Sequence, residues 1–325
     1  MTLLGQDRAV ADFRAAMDSG SLHHAWLLAG PSGVGKGAFA RAAALWVLAN
    51  AAGPRVSLPG FDVSTEHRIA HLFAAGSHPD ARVLKREVWD KGPKKGELRR
   101  NITIDQIRAM NLLFTLAPAF SDWRVVVIDC MDELEPGAAN ALLKLLEEPP
   151  GQSLFLLVSH APGRLLPTIR SRCRRLDFDL LEPDVIDRIL AAERPDLPAA
   201  ERRRLIPLAG GSAGRAIAFA DLDLAPLAEE ALAILRRGDR DNARRSRLAS
   251  SLALKAAAPR YAAFLDLVPP LIAAEARAAT GPRAARAAAA YAKARETATL
   301  APRLTLDAAS TVFALGTIMA AVGEG

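Results

Sequence analysis

Apolar and polar positions follow two different rhythms along this chain. In the first half, short continuous apolar runs recur: Ala25-Trp26-Leu27-Leu28-Ala29, then residues 124–128, then residues 154–158. Runs of this length bounded by turn residues predict strands buried on both faces, the kind that build parallel sheets. Between them, apolar residues recur at helical spacing. Val10, Phe13, Ala16 and Met17 predict a first helix, which Gly20 ends. An alanine-rich helix is predicted over 38–49 and a short one over 65–75. Thr103 precedes a crossover helix carrying Ile104, Ile107, Met110 and Leu113. Pro136 opens another, with Ala139, Leu142, Leu143 and Leu146 on its buried face, and Pro149-Pro150 stops it. Further strands are expected over 83–89 and 175–178. Strand and helix signals that alternate in this way read as an α/β domain with a parallel sheet.

Beyond residue 182 the strand signal disappears. Helices are expected over 183–192 and 199–208. The turn Ala209-Gly210-Gly211-Ser212 introduces a third, with Arg215 in its first turn. From Asp223 onward the chain is alanine-rich, with helices expected over 227–236, 242–257, 261–278, 282–300 and 310–322. Gly238, Pro259, Gly281 and Pro302 punctuate them. The 325 residues exceed one ordinary core. The expected division is an α/β domain over 1–180, a small helical domain over 181–222 and an all-helical domain over 223–325.

Composition narrows the class. Apolar residues make up 50% and charged residues 24%, a soluble globular balance. A formal charge of +6 permits contact with nucleic acid without requiring it. Aromatics at 5% argue against a platform for base stacking. Cys130 and Cys173 are far apart and form no metal spacing, so a reducing cytoplasm is the simplest setting. Asp7 and Asp12 near the start do not suit a secretory signal, and Asp307 within the apolar stretch 304–322 favours a buried helix over a membrane span. His67 and His71 could share a helix face but lack further ligands at a zinc spacing, so packing roles are favoured. The basic run 91–100 suits a phosphate-backbone contact and a solvated loop equally.

The candidate chemistry starts at Gly30, Pro31, Ser32, Gly33, Val34, Gly35, Lys36 and Gly37. A glycine loop between a strand and a helix is the context of a phosphate-binding loop. Its backbone N–H groups cradle phosphate oxygens, and the lysine reaches them. The pattern ordinarily ends in Ser or Thr, whose hydroxyl binds magnesium; here Gly37 stands in that place. Asp129 ends the strand over 124–128, where an aspartate would hold hydrated magnesium, or else cap the turn. Ser159 ends the next strand and could sense a γ-phosphate or its attacking water; a turn hydroxyl is the alternative.

GPSGVGKG, RVVVIDCMDEL, AANALLKLLEEPP, LLVSH and LLPTIRSRCRRL together resemble the clamp-loader branch of the AAA+ proteins. The likeness runs over residues 3–222; beyond that only size and helicity match. It implies an AAA+ P-loop domain, a small helical lid and a C-terminal helical collar. It also implies a role within the DNA polymerase III holoenzyme. In this family the serine-arginine-cysteine triplet lies at a subunit boundary. Arg172 would then be a finger reaching a neighbour's ATP, stabilising the charge of the transferring phosphoryl group. A purely local ion pair is the alternative for Arg172. Arg215 resembles the second sensor arginine of the lid, and Ser159 loosely matches the first sensor. Gln6, in LLGQDRAV, would lie near the adenine pocket.

Two departures from the family stand out. Gly37 lacks the magnesium hydroxyl, and Cys130 stands where active members carry the glutamate that polarises water. A thiol is no matched base for that step, and Glu133 lies three residues further on. Lys36 remains, so weakly held or structural ATP or ADP is expected, with the chain's own ATPase activity weak or absent. The four cysteines of the family's zinc module are missing, so zinc is not expected. The partners implied are gamma/tau ATPase subunits and a delta subunit in a five-membered ring, the sliding clamp and primer-template DNA, with no membrane. The competing readings are an active loader ATPase, favoured by Lys36 and Asp129, and a non-catalytic DNA-binding scaffold, favoured by the charge. A small-molecule kinase lacks visible lid arginines and an acceptor-binding set.

Overall fold

The computed structural model describes residues 3–92 and 95–324. The chain divides into two compact units, Met1–Leu181 and Glu182–Gly325.

The first unit contains α1 (Asp7–Asp18), β1 (Ala25–Ala29), α2 (Lys36–Ala52), α3 (Arg68–Ala74), β2 (Ala81–Leu84) and α4 (Ile104–Asn111). It continues through β3 (Trp123–Ile128), α5 (Pro136–Glu147), β4 (Gln152–Ser159), α6 (Pro167–Arg170) and β5 (Arg174–Asp177). The strands form one parallel sheet in the order β2-β3-β4-β1-β5. All five residues of β1 are buried, because helices cover both faces. Trp26 and Leu28 pack with Phe13 of α1 and Phe39 and Trp46 of α2. Ala25 and Leu27 face the other way, onto Ile107 and Met110 of α4 and Leu142 and Leu146 of α5. Period-two alternation thus sends neighbouring residues of one apolar run into two separate cores.

Register decides where chemistry can gather. Ala29 pairs with Ser159 of β4 and Asp177 of β5, and Ile128 of β3 pairs with Leu157. The residues just after β1 and β3 and at the end of β4, Gly30, Asp129 and Ser159, therefore share the C-terminal edge of the sheet, where ligands of open α/β sheets collect.

The expected strand over 83–89 is shifted. β2 ends at Leu84, its register partner being Ile128. Past that point β3 has ended, and the Lys85 carbonyl accepts from Gln106 Nε2 at 2.9 Å. Val88 instead bridges Leu98 in antiparallel fashion, and Arg99 lies over the Trp89 ring at 4.3 Å. Pro93 and Lys94 of the basic run lie outside the described residues. His67 caps α3 by accepting from Ile69 N, and His78 accepts from Asp80 N.

The second unit is all helical among its described residues: α7 (Pro183–Glu193), α8 (Ala199–Ala209), α9 (Ala213–Asp221), α10 (Ala225–Arg237), α11 (Ala243–Leu252), α12 (Ala258–Ala278), α13 (Gly281–Leu304) and α14 (Ala308–Gly323). Its core joins Phe264, Val268 and Ile272 of α12 with Ile234 of α10, Leu248 of α11 and Leu315 and Met319 of α14. A stripe of Ala287, Ala290, Ala294 and Ala301 buries one face of α13. Pro259 sits in the first turn of α12, where its missing N–H leaves no bond unmade. Among the described residues no helix is long and apolar enough to cross a membrane.

Candidate functional site

Gly30 to Gly35 form the turn from β1 into α2, as the glycine spacing implied, and Lys36 and Gly37 open the helix. Val34 is fully buried and anchors the turn beside Phe39 and Phe178. Gly35, at φ 101°, caps α2 in a backbone conformation that an L side chain resists, and its carbonyl accepts from Phe39 N at 2.8 Å. Gln6 donates through Nε2 to Val34 O and Asp179 O, both at 3.1 Å. Its side chain thereby fastens the N-terminal segment to the loop and to the exit of β5. Lys36 is 2% exposed. Its ammonium donates to Gly30 O at 2.6 Å and to Pro31 O. Burial lowers the Lys36 pKa to about 8, opposed by the neighbouring Cys130, Asp132 and Asp129.

The divalent cation that such a loop ordinarily binds does not fit the residues present. Gly37 offers no hydroxyl, and a Cβ built there would lie 2.5 Å from Asp129 Oδ2. Asp129 is already paired: Arg41 Nη1 is 3.1 Å from Asp129 Oδ2. The carboxylate that would hold hydrated magnesium faces a guanidinium instead. Among the described residues no group of three or more His, Cys, Asp or Glu is placed to hold a metal ion.

The water-activating position is equally altered. Cys130 is buried and its thiol is pushed up to about 12, first by burial and then by its hydrogen bond to Asp132. A group that keeps its proton to that pH is no general base near neutrality. Glu133 turns to Arg86, 2.9 Å away; burial raises its carboxyl pKa and the Arg86 charge opposes the rise. The residue that organises this edge is Asp132. It accepts from Ser159 Oγ at 3.0 Å and Ala161 N at 3.1 Å, from His160 N, and from Cys130 Sγ at 3.2 Å. Burial pushes the Asp132 carboxyl up, but the bonds from His160, Cys130, Ser159 and Ala161 outweigh it and hold it below its ordinary value. The fully buried Ser159 therefore spends its hydroxyl proton on Asp132.

Lys36, Gly37, Asp129 and Ser159 belong to this strand edge; Arg172 has other partners. It lies between α6 and β5, 2.8 Å from Glu147 Oε1 at the end of α5, and donates to Thr168 O at 3.0 Å. Arg215 lies in α9 of the second unit. Ser212 Oγ accepts from its backbone N–H, and its guanidinium donates to Ala209 O at 3.0 Å. Burial lowers the Arg215 pKa, opposed by Asp266, whose own carboxyl burial raises. Sequence reasoning missed Arg41, Asp132 and Glu147. Arg41 carried a signal, since it stands one helical turn after Gly37 and so shares its side of α2. Asp132 and Glu147 stood inside RVVVIDCMDEL and AANALLKLLEEPP, but nothing in those stretches marked their partners.

Fold and loop define an α/β phosphate-loop protein whose lysine and strand-end aspartate persist while its metal and base positions do not. The family model described as DNA polymerase III, delta subunit matches residues 5–182, more than half of the chain, and the chain belongs to that family. It is 38% identical over 189 residues to the DNA polymerase III subunit delta' of Pseudomonas aeruginosa, covering 58% of this chain and 53% of that one. It is 31% identical over 189 residues to the DNA polymerase III subunit gamma/tau of Mycobacterium bovis, covering 58% and 30%. A solved structure of a DNA polymerase III gamma subunit-related protein from Thermotoga maritima matches at 16% identity and a TM-score of 0.44, over 95% of this chain and 98% of that one. The matched segment spans about half the length of the Pseudomonas delta' relative.

Proposed function

We propose that this chain is a clamp-loader subunit of a DNA polymerase III holoenzyme that lends Arg172 to the ATP site of a neighbouring ATPase subunit and hydrolyses little ATP itself. The observation that carries the reading is the contrast between two places. At the strand edge, Gly37, the Arg41–Asp129 pair and Cys130 take apart the chain's own hydrolytic set. At the α6–β5 turn, an arginine with 34% of its side chain exposed is held by a half-exposed glutamate. A pair this exposed contributes at most about 1 kcal/mol, so Arg172 can leave Glu147 for a phosphate at modest expense.

The partners are gamma/tau ATPase subunits and a delta subunit, in a five-membered ring that opens a sliding clamp and closes it around primer-template DNA. The phosphate loop holds ATP or ADP weakly, in a structural role. Residues 181–222 serve as the lid, with Arg215 as its sensor residue, and 223–325 as the collar. The setting is the cytoplasm. The supporting facts are the family membership, the delta' and gamma/tau names of its relatives, and the intact serine-arginine-cysteine triplet at Ser171, Arg172 and Cys173.

The test is clamp loading by loader rings reconstituted with Arg172→Ala and Arg172→Lys. Loading falls by about tenfold or more in both, since a lysine cannot reproduce the guanidinium fork, while ring assembly is unchanged. Loading at the wild-type rate by the assembled Arg172→Ala ring would remove the proposed role.

A further inference from the structure

We infer that the Arg41 guanidinium takes the place of the divalent cation, so that this loop binds a nucleoside di- or triphosphate in its metal-free form. The inference rests on the reading that the loop holds a nucleotide, and it names the form the nucleotide takes.

Three observations lead there. The volume that a threonine side chain would need is filled: a Cβ at Gly37 would lie 2.5 Å from Asp129 Oδ2 and 3.4 Å from Arg41 Nη1. Asp129, the remaining metal ligand of the pattern, is neutralised by Arg41 at 3.1 Å. And the Arg41 side chain is 49% exposed, so the pair stands open to the loop's surroundings and is not sealed in the core.

A guanidinium carries five N–H donors in a planar fork that matches phosphate oxygens. Arg41 can therefore hold Asp129 through one edge and offer other donors to a phosphate. Lys36 and Arg41 stand against the carboxylates of Asp129 and Asp132, so an anionic ligand is drawn by the directed donors of the loop and the guanidinium and not by an excess of positive charge. A magnesium ion riding on the nucleotide would meet Arg41 at the place it needs, as a like charge with no hydroxyl or free carboxylate to coordinate it. The site thus selects against the metal complex rather than merely tolerating its loss.

Calorimetric titration of the full chain with ADP and ATP tests this, first in EDTA and then with magnesium chloride in excess over nucleotide. The expected result is tighter binding in EDTA, with magnesium weakening the apparent affinity by about tenfold as it sequesters the free nucleotide. Arg41→Ala lowers the metal-free affinity by about tenfold or more, the scale of a hydrogen bond to a charged group. Arg41→Lys gives an intermediate value, with unchanged thermal unfolding to show that the fold is kept. The double variant Gly37→Thr with Arg41→Ala reverses the sign, so that magnesium tightens binding. Magnesium-favoured binding by the wild-type chain overturns the inference, as does metal-free affinity unchanged in both Arg41 variants. Absence of binding both in EDTA and with magnesium overturns it together with the nucleotide reading. None of these outcomes alters the clamp-loading test of Arg172.

Discussion

Lys36 is an ammonium that burial discourages from carrying its charge. Its pKa sits near 8 in the folded chain against an ordinary value of 10.5. As pH rises from 8 to 10.5, the folded state has released this proton while the unfolded chain still holds it. Stability therefore increases with pH across that window. The gain is about 1–2 kcal/mol after allowance for solvent screening. Lys36→Met lacks it, so urea unfolding at pH 7.5 and pH 10 shows a smaller pH-dependent change in the variant than in the wild type. An equal change in both would mean that Lys36 titrates as an ordinary surface lysine. At this scale the sequence was partly transparent. Gly37 and Cys130 were visible as departures because a motif fixes what each position must carry. The Arg41–Asp129 pair was not, because an ion pair between residues 41 and 129 depends on the register that brings the end of β3 beside α2.

Two local ties matter at the scale of elements. Asp132 joins the segment after β3 to the end of β4 through Ser159, His160 and Ala161. Asp132→Ala strands the buried Ser159 hydroxyl and gives two exposed backbone N–H groups over to water, and the expected loss is about 1–3 kcal/mol by denaturant unfolding. Its depressed carboxyl pKa means that the stability Asp132 contributes is present above its unfolded value and is lost as pH falls through the folded one. The variant should accordingly lose less stability than the wild type on acidification below pH 4. The second tie is Arg172 to Glu147, which brings RSRCRR and LLKLLEEPP together. Glu147→Gln changes the urea midpoint by the equivalent of less than about 1 kcal/mol, because both side chains are partly exposed. It also leaves the loader's ATP turnover at the wild-type level, unlike Arg172→Ala. A collapse of turnover in Glu147→Gln would make the glutamate part of the activating machinery.

Most elements of the first unit were legible because buried parallel strands read as unbroken apolar runs. The strand expected over 83–89 was misplaced because its apolar residues serve two structures: Val83 lies in β2, while Val88 pairs with Leu98. Only β3, by ending at Ile128, decides where the sheet stops.

For the whole molecule, the helical second unit has a core of its own, built on Phe264, Val268, Ile272, Leu315 and Met319. It also encloses the Asp239–Arg245 ion pair at 3.2 Å, with Arg245 donating to Asp239 O and Thr317 Oγ1 as well. A buried pair in which each guanidinium nitrogen has a partner belongs to a defined fold rather than a loose helical collapse. Residues 182–325 expressed alone should therefore unfold cooperatively on heating, followed by far-ultraviolet circular dichroism. A gradual, non-cooperative loss of helix would show that this core does not stand by itself. The alanine-rich pattern announced the helices of this unit. It left Asp239 and Arg245 unmarked, since six residues of separation across a turn give no periodic signal.

Whether Arg172 works on a neighbour's nucleotide is read most directly from DNA-stimulated ATP turnover by the reconstituted loader. With Arg172→Ala in an otherwise wild-type ring of unchanged composition, turnover at the adjoining ATPase site should fall by about a thousandfold, the scale of a lost arginine finger. Turnover at that site equal to the wild type, in rings shown to be fully assembled, would mean that Arg172 does not act on the neighbouring nucleotide.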